Sequence, residues 1–407
     1  MKFRCGALLA LVLMTSAFCL GAWQSLCPAL PAPAWQQQVY IWQRVWSDRH
    51  ARALSESRTL FSALRVLAFQ QHPAEGTRYA GVDLALLRAD GRPVWLVARL
   101  DGQLARLDQP QLVHEVLRLA EQWRLAGVNL RGVEIDYDAA TAKLGEYGRF
   151  LAALRNQLPA QLQLSITTLP AWLSSPRLAE LLRIPDASVL QVHAVLSPEQ
   201  GIFDSALAGR WLAAYAQRTS RPFLVALPAY GMALAQTGSA LQVISEAPLR
   251  MAGEFRELTA TPQALSAFVA QLTSRRYSHL SGIIWFRLPL EDDQRVWSLT
   301  TLKAVIERRP LDVAWQLSVL SQPADPDLHD LALQNGGDID APLPRRIVFP
   351  AQSCQAFDGA RGYQAAEEDG ALIFTRTDRP LLRAGERYAI GWARCARIMP
   401  GGLHVTP

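Results

Sequence analysis

The sequence predicts an α/β fold, a (β/α)8 TIM-type barrel followed by a small C-terminal β domain. Three observations carry that expectation. Short apolar runs alternate with segments of helical period from Val39 to Arg309. Eight such units fit into roughly 270 residues, the size of a closed barrel. After Arg309 the alternation gives way to turn clusters between short runs, the pattern of a small sheet.

The runs, in order, are "VYIWQRVW" from Val39, "RVLAFQ" from Arg65, "PVWLVARLDG" from Pro93, "LRGVEIDYD" from Leu130, "LQLSITTLP" from Leu162, "SVLQVHAVL" from Ser188, "PFLVALPAYG" from Pro222 and "SGIIWFRLPL" from Ser281. Between them lie amphipathic segments such as "QPQLVHEVLRLAEQWRLAG" from Gln109, "KLGEYGRFLAALRNQL" from Lys143, "ALAGRWLAAYAQR" from Ala206 and "PQALSAFVAQLTSRR" from Pro262. Strands joined by helical crossovers make a mostly parallel sheet. An open doubly wound sheet is the competing arrangement, but no Gly-rich phosphate loop follows the first run, and no cofactor is expected. The clusters "QPADPD", "NGGDIDAP" and "DGARG" then separate "RRIVFP", "ALIFTR" and "RYAIGWARCARI".

The chain has 407 residues, half of them apolar and 19 % charged, so it is folded and large enough for two hydrophobic cores. Its first residues, Met1-Lys2-Phe3-Arg4, are basic and precede an apolar run from Cys5 to Ala22. That arrangement reads as an export signal, cleaved after Ala22 or after Ala32-Pro33-Ala34, or else retained as a membrane anchor. Cys19 and Cys27 follow the bulky Phe18 and Leu26, which disfavours a lipoprotein signal. The expected organisation is therefore 1–34 for export, 35–310 for the barrel and 311–407 for the β domain. An exported chain meets an oxidising compartment, and the two cysteines beyond the signal, Cys354 and Cys395, are expected to form a disulfide tying an early strand of the β domain to its last one.

Charge excludes one class of partner. The net charge of +5 comes from 41 basic and 36 acidic residues without a block of like charges, so no nucleic-acid partner is expected.

The fourth run places Glu134, Asp136 and Asp138 two residues apart. In a strand they share one face, about 6.6 Å apart in succession, while Val133, Ile135 and Tyr137 share the other. In a barrel the acids face inward, with Glu134 deepest and Asp138 nearest the C-terminal mouth, where active sites of this architecture lie. Buried carboxylates need compensation. Arg44, Arg99 and Arg287, near the ends of three other runs, are the cations available for it. A divalent metal is disfavoured, because successive in-facing positions on one strand reach different depths and the seven histidines show no paired ligand spacing. A serine hydrolase is disfavoured by the lack of a G-x-S-x-G elbow.

"RGVEIDYD" resembles the Asp-Gly-x-Asp-x-Asp-x-Glu strand of family 18 glycoside hydrolases, the chitinase-like barrels. Arg131 stands at the first Asp, Gly132 is kept, Glu134 replaces the second Asp, Asp136 matches the third, and Asp138 stands where that family carries its general-acid Glu. "LVALPAYG", Leu224 to Gly231, is similar to the family's Gly-(Leu/Ile)-Pro-x-Tyr-Gly stretch, and "GIIWFRLP", Gly282 to Pro289, to its last strand with the Trp that floors the sugar site. "LQVHAVL" from Leu190 departs from the family's Met-x-Tyr-Asp, leaving His193 and Val195 where that family supports the substrate's acetamido group. The chain is also similar to an uncharacterised family of exported bacterial proteins.

The resemblance implies a glycan or oligosaccharide partner. Asp138 would be the proton donor, Asp136 its orienter or stabiliser and Glu134 the third acid, with Tyr230, Trp285, Trp42, Arg44, Arg99 and Arg287 around the sugar. Two readings follow: a hydrolase of an extracellular or cell-envelope glycan, or a barrel whose aromatic residues, among them Trp42, Trp46, Trp95 and Trp285, hold a saccharide without cutting it.

Overall fold

The computed structural model describes residues 35–193, 201–237, 240–244, 255–293 and 295–407. The expected export segment lies outside the described residues, as does Val195. Among the described residues no helix is long and apolar enough to cross a membrane.

Eight parallel strands form the barrel: β1 (Gln36–Ile41), β2 (Ala63–His72), β3 (Val94–Leu100), β4 (Leu130–Tyr137), β5 (Gln163–Thr168), β6 (Ala187–Gln191), β7 (Phe223–Pro228) and β8 (Leu280–Phe286). β1 pairs with both β2 and β8, which closes the sheet. One helix follows each strand: α1 (Asp48–Glu56), α2 (Leu84–Asp90), α3 (Gln109–Leu125), α4 (Leu144–Gln157), α5 (Leu178–Leu181), α6 (Ser205–Ala216), α7 (Pro262–Ser274) and α8 (Leu299–Glu307). The helix starts are written locally. Side chains of Asp83, Asp108, Asp204, Thr261 and Ser298 accept an amide proton of the first turn in α2, α3, α6, α7 and α8, each cap contributing about 1 kcal/mol.

Two features depart from the expectation. β1 starts at Gln36 and ends at Ile41, because the backbone of the polar Gln36, Gln37 and Gln38 pairs with β8 while the second half of "VYIWQRVW" leaves the sheet at the mouth. A three-stranded antiparallel sheet (Gly231–Thr237, Ala240–Ile244 and Phe255–Thr259) is inserted between β7 and α7.

Beyond α8 lies an antiparallel sheet of β9 (Trp315–Gln322), β10 (Asp325–Asn335), β11 (Arg346–Gly359), β12 (Gln364–Glu368), β13 (Ala371–Thr375) and β14 (Arg387–Ile398), in the order β9-β10-β14-β11-β13-β12. Its core gathers Leu331, Leu333, Ile347, Phe349, Phe374 and Ile390. Cys354 and Cys395 face each other across β11 and β14 and form the disulfide; β14 is the last long strand, followed by the short His404–Thr406. The sheet is fastened to the barrel. Asp340 accepts the Ser298 amide at 2.7 Å, Arg383 donates to the Asp293 carbonyl at 2.6 Å, and residues 36–407 form one compact unit.

Candidate active site

Strand alternation sends Val133, Ile135 and Tyr137 of β4 into apolar surroundings and turns Glu134 and Asp136 into the barrel, with Asp138 one step past the strand end. Parallel register then fixes their neighbours. Gln70 of β2 lies opposite Arg99 of β3, and Arg99 opposite Asp136; one level deeper, Val97 lies opposite Glu134 and Glu134 opposite Ser165.

Glu134 is fully buried and saturated. Tyr40 Oη donates to its Oε1 at 2.7 Å, Ser165 Oγ donates to Oε2 at 2.8 Å, and Arg65 Nη1 pairs with Oε2. Arg65 also donates to Ser165 at 2.9 Å and to Gln38 at 3.0 Å, and lies 4.6 Å from the centroid of the Trp95 ring. Burial draws the Arg65 guanidinium down to about 10, so it still carries its charge at neutral pH. The sequence reading groups Glu134 with the catalytic acids; the structure places it in a sealed ion pair inside the barrel, in contact with the barrel's own side chains.

The other two acids meet one guanidinium. Arg99 Nη1 donates to Asp136 Oδ2 at 2.8 Å, and Nη2 pairs with Asp138 Oδ2. Thr167 donates to Asp136 Oδ1 at 2.6 Å and Gln191 at 3.3 Å. Burial pushes the Asp136 carboxyl up from the usual carboxylate range; Arg99 opposes the shift and Asp138 adds to it. Burial works against the charge on Arg99, but Asp136 and Asp138 outweigh it and hold the guanidinium above its ordinary range. The side chain of Asp138 is 38 % exposed against 3 % for Asp136, so of the three acids Asp138 is the one open to a molecule above the barrel.

Above these acids lies a cleft of about 360 Å³. Its aromatic wall is built on Phe286, whose ring centroid lies 5.1 Å from that of Trp42 and 5.3 Å from that of Tyr230, with His193 edge-on to Tyr230 at 5.9 Å. His193 Nδ1 lies 3.3 Å from the Ala226 carbonyl, and burial draws the imidazole down to about 4, so it is neutral at pH 7. Arg44, whose Nε donates to Gln70 at 2.7 Å, also lines the cleft, as do His72 and Asp101. Among the described residues no group of three or more His, Cys, Asp or Glu side chains is arranged to hold a metal ion.

Of the expected site residues, Asp136, Asp138, Arg99, Arg44, Trp42 and Tyr230 come together in this cleft. Trp285 and Arg287 lie elsewhere. Trp285 is on the opposite face of β8, fully buried, with Nε1 donating to Gln37 at 2.8 Å, and the next residue, Phe286, takes the place at the cleft. Arg287 binds Asp293, Nε to Oδ2 at 3.0 Å. Trp46 stacks on His50 at 4.7 Å, outside the cleft lining.

Sequence reasoning missed Arg65, Thr167, Gln191 and Phe286. Ser165 and Thr167 did carry a signal, since they alternate with Leu164 and Ile166 and so present a polar face to the barrel interior.

Comparisons with known proteins agree with this architecture. A family model described as a domain of unknown function, DUF3142, matches residues 90–291, and a second, DUF8456, also a domain of unknown function, matches residues 318–396. No curated protein gives a significant match. Among solved structures, the spore cortex-lytic enzyme SleL of Bacillus cereus superposes with a TM-score of 0.50 at 14 % identity, covering 70 % of this chain and 76 % of the enzyme. A chitinase of Chromobacterium violaceum superposes with a TM-score of 0.50 at 15 % identity, covering 68 % of this chain and 98 % of its own. At such identities the likeness is one of fold: the barrel is chitinase-like, as the resemblance of the fourth strand implied.

Proposed function

We propose that this chain is an exported glycoside hydrolase acting on a cell-envelope or extracellular glycan, with Asp138 as the proton donor to the leaving oxygen. The observation that carries the reading is the arrangement at the mouth: an accessible carboxylate beside a buried one, under an aromatic wall able to stack against a sugar ring. Phe286, the partly exposed ring of that wall, meets the sugar, with the buried Trp42 and Tyr230 packed against it. Arg99 fixes the two carboxylates relative to each other, and Thr167 and Gln191 hold Asp136 as the orienter. The proton donor works only when it lies within hydrogen-bond reach of the leaving oxygen, so the guanidinium must release Asp138 as substrate enters. The N-terminal segment delivers the chain across the membrane and either leaves or tethers it.

That same Arg99 contact favours a second reading. A carboxylate held by Arg99 is kept from the leaving oxygen, and a cleft that keeps it so binds a saccharide without cutting it. The deciding experiment incubates the purified protein with chitin-type and deacetylated polymers beside the Asp138→Asn and Asp136→Asn variants, measuring new reducing ends and bound glycan. Cleavage by the parent that Asp138→Asn abolishes without loss of binding supports the hydrolase. Binding without cleavage in the parent, unchanged in Asp138→Asn, supports the binding barrel.

A further inference from the structure

Hydrolysis by direct attack of water, with Asp138 as acid, needs a second group to activate that water, and the other two acids of β4 are committed: Glu134 to Arg65, Tyr40 and Ser165, Asp136 to Arg99, Thr167 and Gln191. One further assembly lines the cleft. Gln71 of β2 is in register with Leu100 of β3, and Leu100 with Tyr137 of β4. The next residue on each strand is His72, Asp101 and Asp138, so these three form one row across the mouth. The row is closely set, since any side chain at Gly102 would run into the Asp138 carbonyl.

Asp101 is fixed on both sides. Its amide donates to the Gln71 carbonyl at 3.1 Å, its Oδ1 accepts the Gln103 amide at 2.7 Å, and its Oδ2 faces His72 Nδ1 at 3.7 Å. His72 is held by pairing with Gly76 in the hairpin that extends β2, where Gly76 takes the left-handed φ of 69° that favours glycine. Their side chains remain accessible, 27 % for His72 and 31 % for Asp101.

We infer that His72, oriented by Asp101, is the general base that activates the attacking water, and that cleavage proceeds with inversion at the anomeric carbon. This rests on the hydrolase reading above. With Nδ1 facing the Asp101 carboxylate at 3.7 Å, Nε2 is the ring nitrogen left for the water. The water oxygen bonds to the anomeric carbon as the bond to the leaving oxygen breaks; Asp138 gives its proton to that oxygen, and His72 takes one from the water. Solvent then returns both groups to their starting protonation, so the net reaction is addition of water. His72 and Asp138 are two strands apart in the row, about 9.5 Å between backbones, so acid and base are separate groups on the cleft lining and not a contacting pair. His193, the other imidazole in the cleft, is drawn down to about 4 and is too weak a base for the task at neutral pH.

The test follows the anomeric configuration of the first-formed product by proton NMR, with whichever oligosaccharide of the chitin-type and deacetylated series the parent cleaves. The expected product from a β-linked substrate is the α-anomer. His72→Gln is expected to lower kcat about 10²–10⁴-fold with KM little changed, and Asp101→Asn to lower kcat in the same sense while the melting temperature holds. Cleavage with retention, or full kcat in His72→Gln, overturns the proposal and leaves the hydrolase reading standing. If the parent cleaves no member of the series, the hydrolase reading falls and this inference with it. Should His72→Gln fail to fold, the product configuration of the parent decides alone.

Discussion

Replacing Arg65 with Met removes the cation from a carboxylate that has no access to solvent. Glu134 keeps the hydroxyls of Tyr40 and Ser165, but two neutral donors do not offset a buried charge. Breaking a buried pair from one side costs about 3–5 kcal/mol. The compact unit runs from Gln36 to Pro407. With an unfolding entropy of about 2.1 cal/mol/K per residue, a unit of about 370 residues has a total near 0.8 kcal/mol/K, so the expected fall in melting temperature is about 4–6 °C. The assay is differential scanning calorimetry of the parent, Arg65→Met and the double variant Arg65→Met with Glu134→Leu. The double variant, which removes both charges, recovers most of the loss. An Arg65→Met protein melting within about 1 °C of the parent, or a double variant no better than the single, refutes the claim that this pair is sealed in the barrel core.

The neutral His193 makes stability depend on pH. Its folded value of about 4 lies below the ordinary 6.5, so the unfolded chain takes up a proton across that interval and the folded chain does not. The contribution is full above pH 6.5 and is lost as pH falls towards 4; melting curves of His193→Gln should therefore drop less than the parent's over that interval, and parallel curves count against the assignment. The disulfide spans 41 residues, and removing it as Cys354→Ala with Cys395→Ala should cost about 4 kcal/mol in the β domain, read as a lowered denaturant midpoint that reductant reproduces in the parent. An unchanged midpoint contradicts this. Phe286→Ala should weaken saccharide binding by about 1–2 kcal/mol, roughly 5–30-fold in Kd by calorimetry, while Trp285→Phe leaves Kd within about twofold. The reverse order would put the sugar on the wrong residue.

All eight barrel strands were legible because a strand buried on both faces is written as an apolar run, and the helix starts because caps are local. What failed is non-local. Gln36 to Gln38 carry no apolar signal, yet their backbone completes the sheet with β8. Trp285 and Phe286 are adjacent aromatics, and strand parity alone decides which of them meets the cleft; the inward set of Ile284 and Phe286 fixes it only once the register is known. Arg65 opens an apolar run and reads as a surface charge at a strand start, although in the barrel it neutralises Glu134. The row of His72, Asp101 and Asp138 is invisible in the sequence, since its members lie about 30 and 37 residues apart and meet through strand pairing.

Asp138 as proton donor is the central claim, and its direct measurement compares two leaving groups in one variant. Asp138→Asn should lose about 10²–10⁴-fold in kcat on the oligosaccharide that the parent cleaves, whose leaving oxygen needs a proton, and should keep most of the parent rate on a nitrophenyl glycoside of the same sugar, whose leaving group departs without one. Equal losses on both substrates, or no loss on either, would contradict the account.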